Sequence, residues 1–257
     1  MIFYKYQGTG NDFILIDDRG KKFPKENNFL IKELCNRHFG IGADGLILLE
    51  KDEESDFKMV YFNSDGNEST LCGNGGRCIV AFARDLELIK NETLFNAIDG
   101  LHKAKITEDL VYLKMNDVSE IKNSATYYFL NTGSPHHVEF VENIDELDVK
   151  TLGSKIRYGA PYFKEGSNVN FVEKVNEQQL KIRTYERGVE DETLSCGTGI
   201  TASALAYHYS KQTNLTKIEI KTPGGNLTVS FDCVNGKYQN IYLIGPAKLV
   251  FTGNIKL

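Results

Sequence analysis

The sequence predicts strands and helices arranged as two similar domains, and two matching stretches predict it. In Tyr61 to Arg84, YFNSDGNESTLCGNGGRCIVAFAR, a strand-like run from Met59 to Phe62 ends at Asn63, and a polar loop leads to Cys72. The apolar positions Cys78, Ile79, Phe82 and Leu86 then recur at helical spacing. Cys196 to Tyr209, CGTGITASALAYHY, repeats the Cys-Gly-x-Gly entry into a helix of small and apolar residues. The flanks repeat too. Leu180 to Tyr185 is a strand-like lead-in, and Lys217 to Lys221 and Asn226 to Phe231 follow the second helix as Thr93 to Ala97, His102 to Ile106 and Val111 to Met115 follow the first. Such a repeat implies two like domains, each presenting one thiol at a helix start.

Composition bounds the class. The 257 residues have room for two modest domains, and 41% hydrophobic residues describe an ordinary globular chain. A net charge of −5 with no basic cluster argues against a nucleic-acid partner or a membrane surface. No apolar run is long enough to span a bilayer, and Met1 to Gln7 reads as a first strand rather than a signal peptide. Five cysteines without framework spacing suggest a reducing compartment, hence a cytoplasmic protein.

In chain order, Ile2 to Tyr6 and Ile14 to Asp17 are strand-like and flank the glycine-rich turn Gly8 to Phe13. Taken alone that turn is a plain hairpin, yet Asn11 within it offers the donor and acceptor that a zwitterionic amino acid needs. Leu30, Ile31, Leu34 and Cys35 mark a helix with Cys35 in the core. Gly40 to Gly45 fits G-x-G-x-x-G, but a helix precedes it and the strand-like Leu46 to Leu49 follows. A dinucleotide fingerprint needs the opposite order, so a nucleotide site is rejected. Cys72 sits ahead of a helix N-terminus, where unpaired N–H groups favour a thiolate, and Gly73, Gly75 and Gly76 let the backbone approach an anion. A buried small hydrophobe beside turn glycines is the bland alternative for this one stretch.

Asn116 to Ala125 reads as the crossing between domains, giving a first half of residues 1–119 with 247–257 and a second of 120–246. Tyr127 to Asn131 resumes a strand that Thr132 to Val138 interrupts, and Pro135 fixes the backbone so that His136 or His137 can be aimed. Lys150 to Tyr158 is a weakly amphipathic outer helix. Ser167 to Val172 echoes the strand after Asn11, which equates Asn168 with Asn11. Glu190, Asp191 and Glu192 read as caps and dipole partners of the coming helix. Arg187 stands nine residues before Cys196, as Asn63 stands before Cys72, and its planar fork suits a carboxylate. Pro223 to Gly225 is a hairpin turn, Cys233 lies in a later turn, and the last strand, Ala247 to Thr252, is expected to return to the first domain.

Two thiols facing each other across a cleft suit the transfer of a proton from one face of a carbon to the other. A thiol-disulfide protein and a non-catalytic clamp are the alternatives from other classes; the first lacks C-x-x-C, and the second would leave an α-carbon unlabelled in D₂O.

The motifs together resemble the diaminopimelate epimerase family. They are Gly-Thr-Gly-Asn-Asp-Phe at 8, Phe-Asn-x-Asp-Gly at 62, Cys-Gly-Asn-Gly-x-Arg-Cys at 72, Pro-His at 135, Asn-Val-Asn-Phe at 168, Tyr-Glu-Arg-Gly at 185, Cys-Gly-Thr-Gly at 196 and Pro-Gly-Gly at 223. The resemblance implies an α+β fold of two pseudo-symmetric domains, each a curved mixed or antiparallel sheet wrapped around a central helix. It also implies interconversion of LL- and meso-2,6-diaminopimelate in lysine and peptidoglycan synthesis, by a homodimer without cofactor or metal. By similarity Cys72 and Cys196 are the two bases, and His136 and Glu186 orient the reacting amino group. Asn11, Asn63, Asn168 and Arg187 hold the distal amino acid, while Gly73, Asn74, Gly197 and Thr198 receive the reacting carboxylate. Ser134 and Gly45 stand where relatives carry Asn and Gln, and the loop before Cys196 is one residue longer than in some relatives. The substrates weighed against diaminopimelate are proline, hydroxyproline and histidine, handled by racemases of the same fold.

Overall fold

The computed structural model describes residues 1–256, and the chain divides into two units, Met1–Leu113 with the chain from Gly245 onward, and Lys114–Ile244. In the first unit, strands β1 (Ile2–Gly8) and β2 (Asn11–Asp17) form a hairpin. Helix α1 (Asn28–Cys35) crosses to β3 (Gly45–Glu50), which pairs parallel with β2, and β4 (Phe57–Asn63) returns antiparallel. Helix α2 (Gly73–Asp85) leads to β5 (Glu92–Ala97), parallel to β4, and then to the antiparallel β6 (Gly100–Thr107) and β7 (Leu110–Lys114).

The central strands lie under helices on both faces, which is why they read as near-continuous apolar runs. Alternate residues Ile14, Ile16, Leu46, Leu48, Val60 and Phe62 pack with Ile31 and Cys35 of α1. The opposite face meets α2, where an added Cβ on Gly75 would lie 3.2 Å from Ile47 Cδ1 and 3.5 Å from the Phe13 ring. Every residue of α2 from Gly73 to Ala83 is buried, so it is the core of its unit rather than a surface layer.

The second unit repeats this order. Strand β8 (Lys122–Asn123) pairs with β9 (Tyr128–Asn131), which forms a hairpin with β10 (Pro135–Phe140). A 3₁₀ turn at Ile144–Glu146 and helix α3 (Val149–Tyr158) cross to β11 (Asn168–Lys174), parallel to β10, and β12 (Gln179–Glu186) returns antiparallel. A short β13 (Asp191–Thr193) folds back on β12 before helix α4 (Gly197–Tyr209). Then β14 (Lys217–Thr222) runs parallel to β12, followed by the antiparallel β15 (Gly225–Val234) and β16 (Lys237–Pro246). Ile144, Val149, Val169, Phe171 and Tyr185 form the α3-side core. The terminal β17 (Lys248–Asn254) pairs antiparallel with β1 over Ile2 to Gln7, in the first unit as β8 pairs with β9 in the second. No helix among the described residues is long and apolar enough to cross a membrane.

Apart from the short β13, the two pairing sequences match strand for strand, and they correct several expectations. Strand β10 starts at Pro135 rather than after an interruption, so His136 and His137 are buried strand residues. Since β11 corresponds to β3, Asn168 stands where Gly45 does and not where Asn11 does: His136 is in register with Asn168, as Phe13 is with Gly45. Glu186, the last residue of β12, takes the place of Asn63, the last residue of β4. Cys233 lies within β15 and not in a turn. Glu190, Asp191 and Glu192 cap no helix; they pair with Arg157, Lys150 and Arg183 at 3.0, 2.7 and 2.7 Å.

Candidate active site

Cys72 and Cys196 are the N-caps of α2 and α4, both in extended backbone conformation. The outer helices begin differently. Asn27 accepts from Leu30 N at 3.1 Å and Asp148 accepts from Thr151 N at 3.1 Å, whereas neither cysteine side chain caps its own helix. The first backbone donors of the two buried helices thus give no bond to their own N-cap side chains, at ends that carry partial positive charge. The remaining buried thiols differ: burial pushes Cys35 and Cys78 each up to about 12, so both stay protonated at neutral pH.

Around α2, Asn74 is fully buried and oriented by its neighbours. Its Oδ1 accepts from Arg77 Nη2 at 2.9 Å, and its Nδ2 donates to Asn11 Oδ1 at 2.5 Å. Asn11 Nδ2 in turn donates to Asp44 Oδ2 at 2.8 Å. Asp44 and Asp12 are gripped by Arg37 at 2.7 and 2.6 Å, and Lys5 reaches Asp12 at 2.8 Å. Asn11 thus keeps one N–H and one lone pair with a fixed direction. The Asn63 backbone closes the turn after β4, accepting from Gly66 N and donating to Asn67 O, each at 2.9 Å; its side chain makes no hydrogen bond within the described residues.

Around α4 the network is tighter. Asn170 is completely buried; its Nδ2 donates to the His137 carbonyl at 2.8 Å and to His136 Nδ1 at 3.1 Å, and its Oδ1 accepts from Thr184 Oγ1 at 3.0 Å. A carbonyl can only accept, so the nitrogen of the amide must point to His136, and the His136 proton then belongs on Nε2. That Nε2 is buried and has no partner within the described residues. Burial, and then the charge of Arg187, hold His136 down to about 3, so it is neutral at physiological pH. His137 faces away, bonded to Tyr162 Oη at 2.9 Å and stacked on Tyr127, a structural role. A Cβ on Gly199 would fall 2.2 Å from Asn170 Oδ1 and 3.3 Å from His136 Cε1, so glycine is what lets α4 sit this close to β10 and β11.

Asn168 is largely consumed by the protein. Its Nδ2 donates to Ser134 Oγ and the Pro135 carbonyl at 2.9 and 3.0 Å, and its Oδ1 accepts from Arg187 N at 2.9 Å. It anchors the backbone of Arg187, whose exposed guanidinium bonds only the Glu165 carbonyl, at 3.0 Å, within the described residues. Cys196 Sγ lies 3.5 Å from Thr198 Oγ1, and Thr132 Oγ1 fixes the Thr198 carbonyl at 2.8 Å. Glu186 is half-buried at the end of β12. Within the first unit Asn11 and Asn74 are brought into contact, and Cys72, Gly73 and Asn74 are consecutive at the start of α2; within the second, the Arg187 backbone bonds Asn168, and Cys196, Gly197 and Thr198 are consecutive at the start of α4. Sequence reasoning missed Arg77, Asp44, Asn170 and Thr184. Asn170 had a signal, a second polar residue alternating with Asn168 on one face of a strand. No group of three or more His, Cys, Asp or Glu side chains among the described residues is placed to hold a metal ion.

Solved structures share this arrangement. A PhzF-family phenazine biosynthesis protein of Bacillus anthracis matches with a TM-score of 0.79 at 15% identity, covering 100% of this chain and 99% of that one. A hydroxyproline epimerase from Agrobacterium vitis, solved with bound trans-4-hydroxy-L-proline, matches with a TM-score of 0.69 at 15% identity, covering 98% and 91%. The class is thus the duplicated α+β fold found in epimerases and PhzF proteins.

Sequence narrows it further. The profile described as diaminopimelate epimerase matches residues 3–119 and 128–250, and the chain belongs to that family, as an isomerase. It is 59% identical over 256 residues to the diaminopimelate epimerase of Flavobacterium psychrophilum, covering 99% of this chain and 100% of the relative. It is 44% identical over 260 residues to that of Chlorobaculum tepidum, covering 97% and 99%.

Proposed function

We propose that the chain epimerises LL-2,6-diaminopimelate to the meso form by transferring protons between Cys72, Cys196 and the α-carbon, without pyridoxal phosphate. The observation that carries this reading is the paired placement of one cysteine at the uncapped start of each buried helix. Removing an α-proton leaves charge that spreads into the adjacent carboxylate. Donors fixed beforehand at Gly73 and Asn74, and at Gly197 and Thr198, stabilise that charge as it grows and replace an external electron sink.

One cysteine starts as thiolate and takes the proton; the other starts as thiol and returns one to the opposite face. Their protonation states are exchanged after each turnover, and the pair titrates as a unit. Glu186, an acceptor, suits the substrate ammonium. His136, with its proton on Nε2, can only donate at its outer nitrogen, so it serves a carboxylate oxygen, a thiolate or a neutral amine rather than an ammonium. Asn11, Asn63 and Arg187 recognise the distal amino acid, with Asn168 holding Arg187 in position. The wider reading places the enzyme in lysine and peptidoglycan synthesis, in the cytoplasm, as a homodimer. The dimer rests on family resemblance and is checked by light scattering in solution.

Incubation with LL-diaminopimelate in D₂O tests the chemistry. Wild type incorporates deuterium at the inverted carbon, and Cys72→Ala and Cys196→Ala lose epimerisation by more than the roughly 10²- to 10⁴-fold typical of one acid or base. Near-normal epimerisation by both variants would end the two-thiol scheme. Activity on proline or histidine with none on diaminopimelate would instead replace the substrate.

A further inference from the structure

Arg77 is the one fully buried arginine among the described residues, and it has no acidic partner there. Its Nη2 donates to Thr9 Oγ1 at 2.6 Å and to Asn74 Oδ1 at 2.9 Å. Its Nη1 turns back toward the helix start, 3.4 Å from the Gly73 carbonyl, and its Nε is buried with no hydrogen-bond partner. A guanidinium stays charged at any physiological pH, and burying it without a counter-charge is costly. An anion must therefore be supplied nearby.

The titratable groups acting on Arg77 are two thiols, Cys78 on the same helix and Cys72 at its start. Cys78 is the wrong candidate, since burial keeps it a thiol. From the β1–β2 side, the carboxylate whose charge reaches Cys78 is Asp12, and Lys5 and Arg37 already span it. Cys72 is left.

We propose that Arg77 is a positioning residue that holds the Cys72 sulfur as the thiolate in the resting enzyme and so makes the two thiols inequivalent. The matching place five residues after Cys196 is Thr201, a neutral hydroxyl that bonds the Gly197 carbonyl at 3.0 Å, so the second helix start lacks this cation. The resting assignment is Cys72 S⁻ and Cys196 S–H. Cys72 accepts the α-proton, Cys196 gives up its own, and the reverse turnover restores the starting state with no other reactant. Burial alone would lower the charge on Arg77, whose guanidinium is held down to about 10, and a neighbouring thiolate opposes that.

The proposal deepens the two-thiol reading and rests on it, but its test is separate from turnover. Reduced wild-type enzyme is alkylated with iodoacetamide across pH, and each cysteine is followed by peptide mass spectrometry, with buried Cys35 and Cys78 as unreactive controls. The reading is the midpoint of each profile, which does not depend on access. Cys72 is expected to titrate at least one pH unit below Cys196, about a tenfold difference in thiolate at pH values below both midpoints. Arg77→Met is expected to raise the Cys72 midpoint and leave that of Cys196 unmoved, and Arg77→Lys to preserve most of the difference. Coincident midpoints in wild type, a lower one for Cys196, or an unmoved Cys72 midpoint in folded Arg77→Met overturns the proposal. Should Arg77→Met fail to fold, the wild-type order and Arg77→Lys decide. Loss of the two-thiol reading itself appears only in the D₂O experiment.

Discussion

Gly75 and Gly199 occupy the same place, three residues after each cysteine, yet alanine should act oppositely at the two. Inside a helix, Ala is favoured over Gly by about 1 kcal/mol. At Gly75 the new Cβ meets the flexible end of Ile47 at 3.2 Å, which can give by a few tenths of an ångström. At Gly199 it would fall 2.2 Å from Asn170 Oδ1, an atom held by Thr184 in a side chain also tied to His136 and the His137 carbonyl. Shifting Asn170 adds overpacking of roughly 1–3 kcal/mol and an unsatisfied buried group of roughly 1–3 kcal/mol. Net of propensity, Gly199→Ala should destabilise by about 1–5 kcal/mol, while Gly75→Ala stays within about 1 kcal/mol of wild type or exceeds it. Urea unfolding followed by far-ultraviolet circular dichroism reads both midpoints in one series. A Gly199→Ala protein as stable as wild type would refute the idea that this glycine exists to admit the Asn170–His136 pair.

Protonation of His136 should make the protein acid-sensitive. Its folded pKa of about 3 lies below the ordinary 6.5, so its contribution is fully present above pH 6.5 and is lost as pH falls toward 3. The loss is roughly 1.4 kcal/mol per pH unit, and His136→Gln should flatten the stability profile between pH 6 and 4 by about one proton, measured by urea midpoints. An unchanged slope would mean that the imidazole is solvated. Asn168→Ala removes the tie between Ser134, Pro135 and the Arg187 backbone; steady-state kinetics should give a raised KM for diaminopimelate with a smaller effect on kcat, and an unchanged KM would detach Arg187 from substrate binding. Ending the chain at Pro246 removes β17 and bares the edge of β1 from Ile2 to Gln7, so light scattering should report self-association and unfolding at lower urea.

The legible parts were those governed by local pattern. Period-2 and 3.6 runs disclosed β1 to β7, β14, β15 and β17 but not β16, and both central helices, and Cys72 and Cys196 were read at helix starts. What escaped depended on topology. The string Ser167 to Val172 looks like the stretch after Asn11, but the parallel crossover through α3 puts it in the place of β3, and string similarity carries no information about crossover order. Thr132 to Val138 read as an interruption because it holds Gly133 and Pro135, yet Pro135 opens strand β10, a first-residue position that needs no N–H from it. Glu190 looked like a helix partner because it precedes α4 in sequence, while its carboxylate turns to Arg157 on α3. Asn170 and Arg77 were passed over because an inward polar residue reads as an error of pattern until its partners are known.

The duplication explains what must be shared and what is free to differ. Both units need an uncapped start to a buried helix, with glycine three residues in, since that geometry aims backbone donors outward and brings the helix against its sheet. Around this frame the polar support has diverged. The first unit steadies its helix start through Arg77, Asn74, Asn11 and Asp44, a chain that begins with a buried cation and ends on an anion gripped by Arg37. The second uses Asn170, His136 and Thr184, which are neutral. An inversion with two symmetric bases would need no such difference. Under the two-base reading proposed above, that difference gives the two cysteines unlike electrostatic surroundings, with a buried cation in the first unit and neutral side chains in the second.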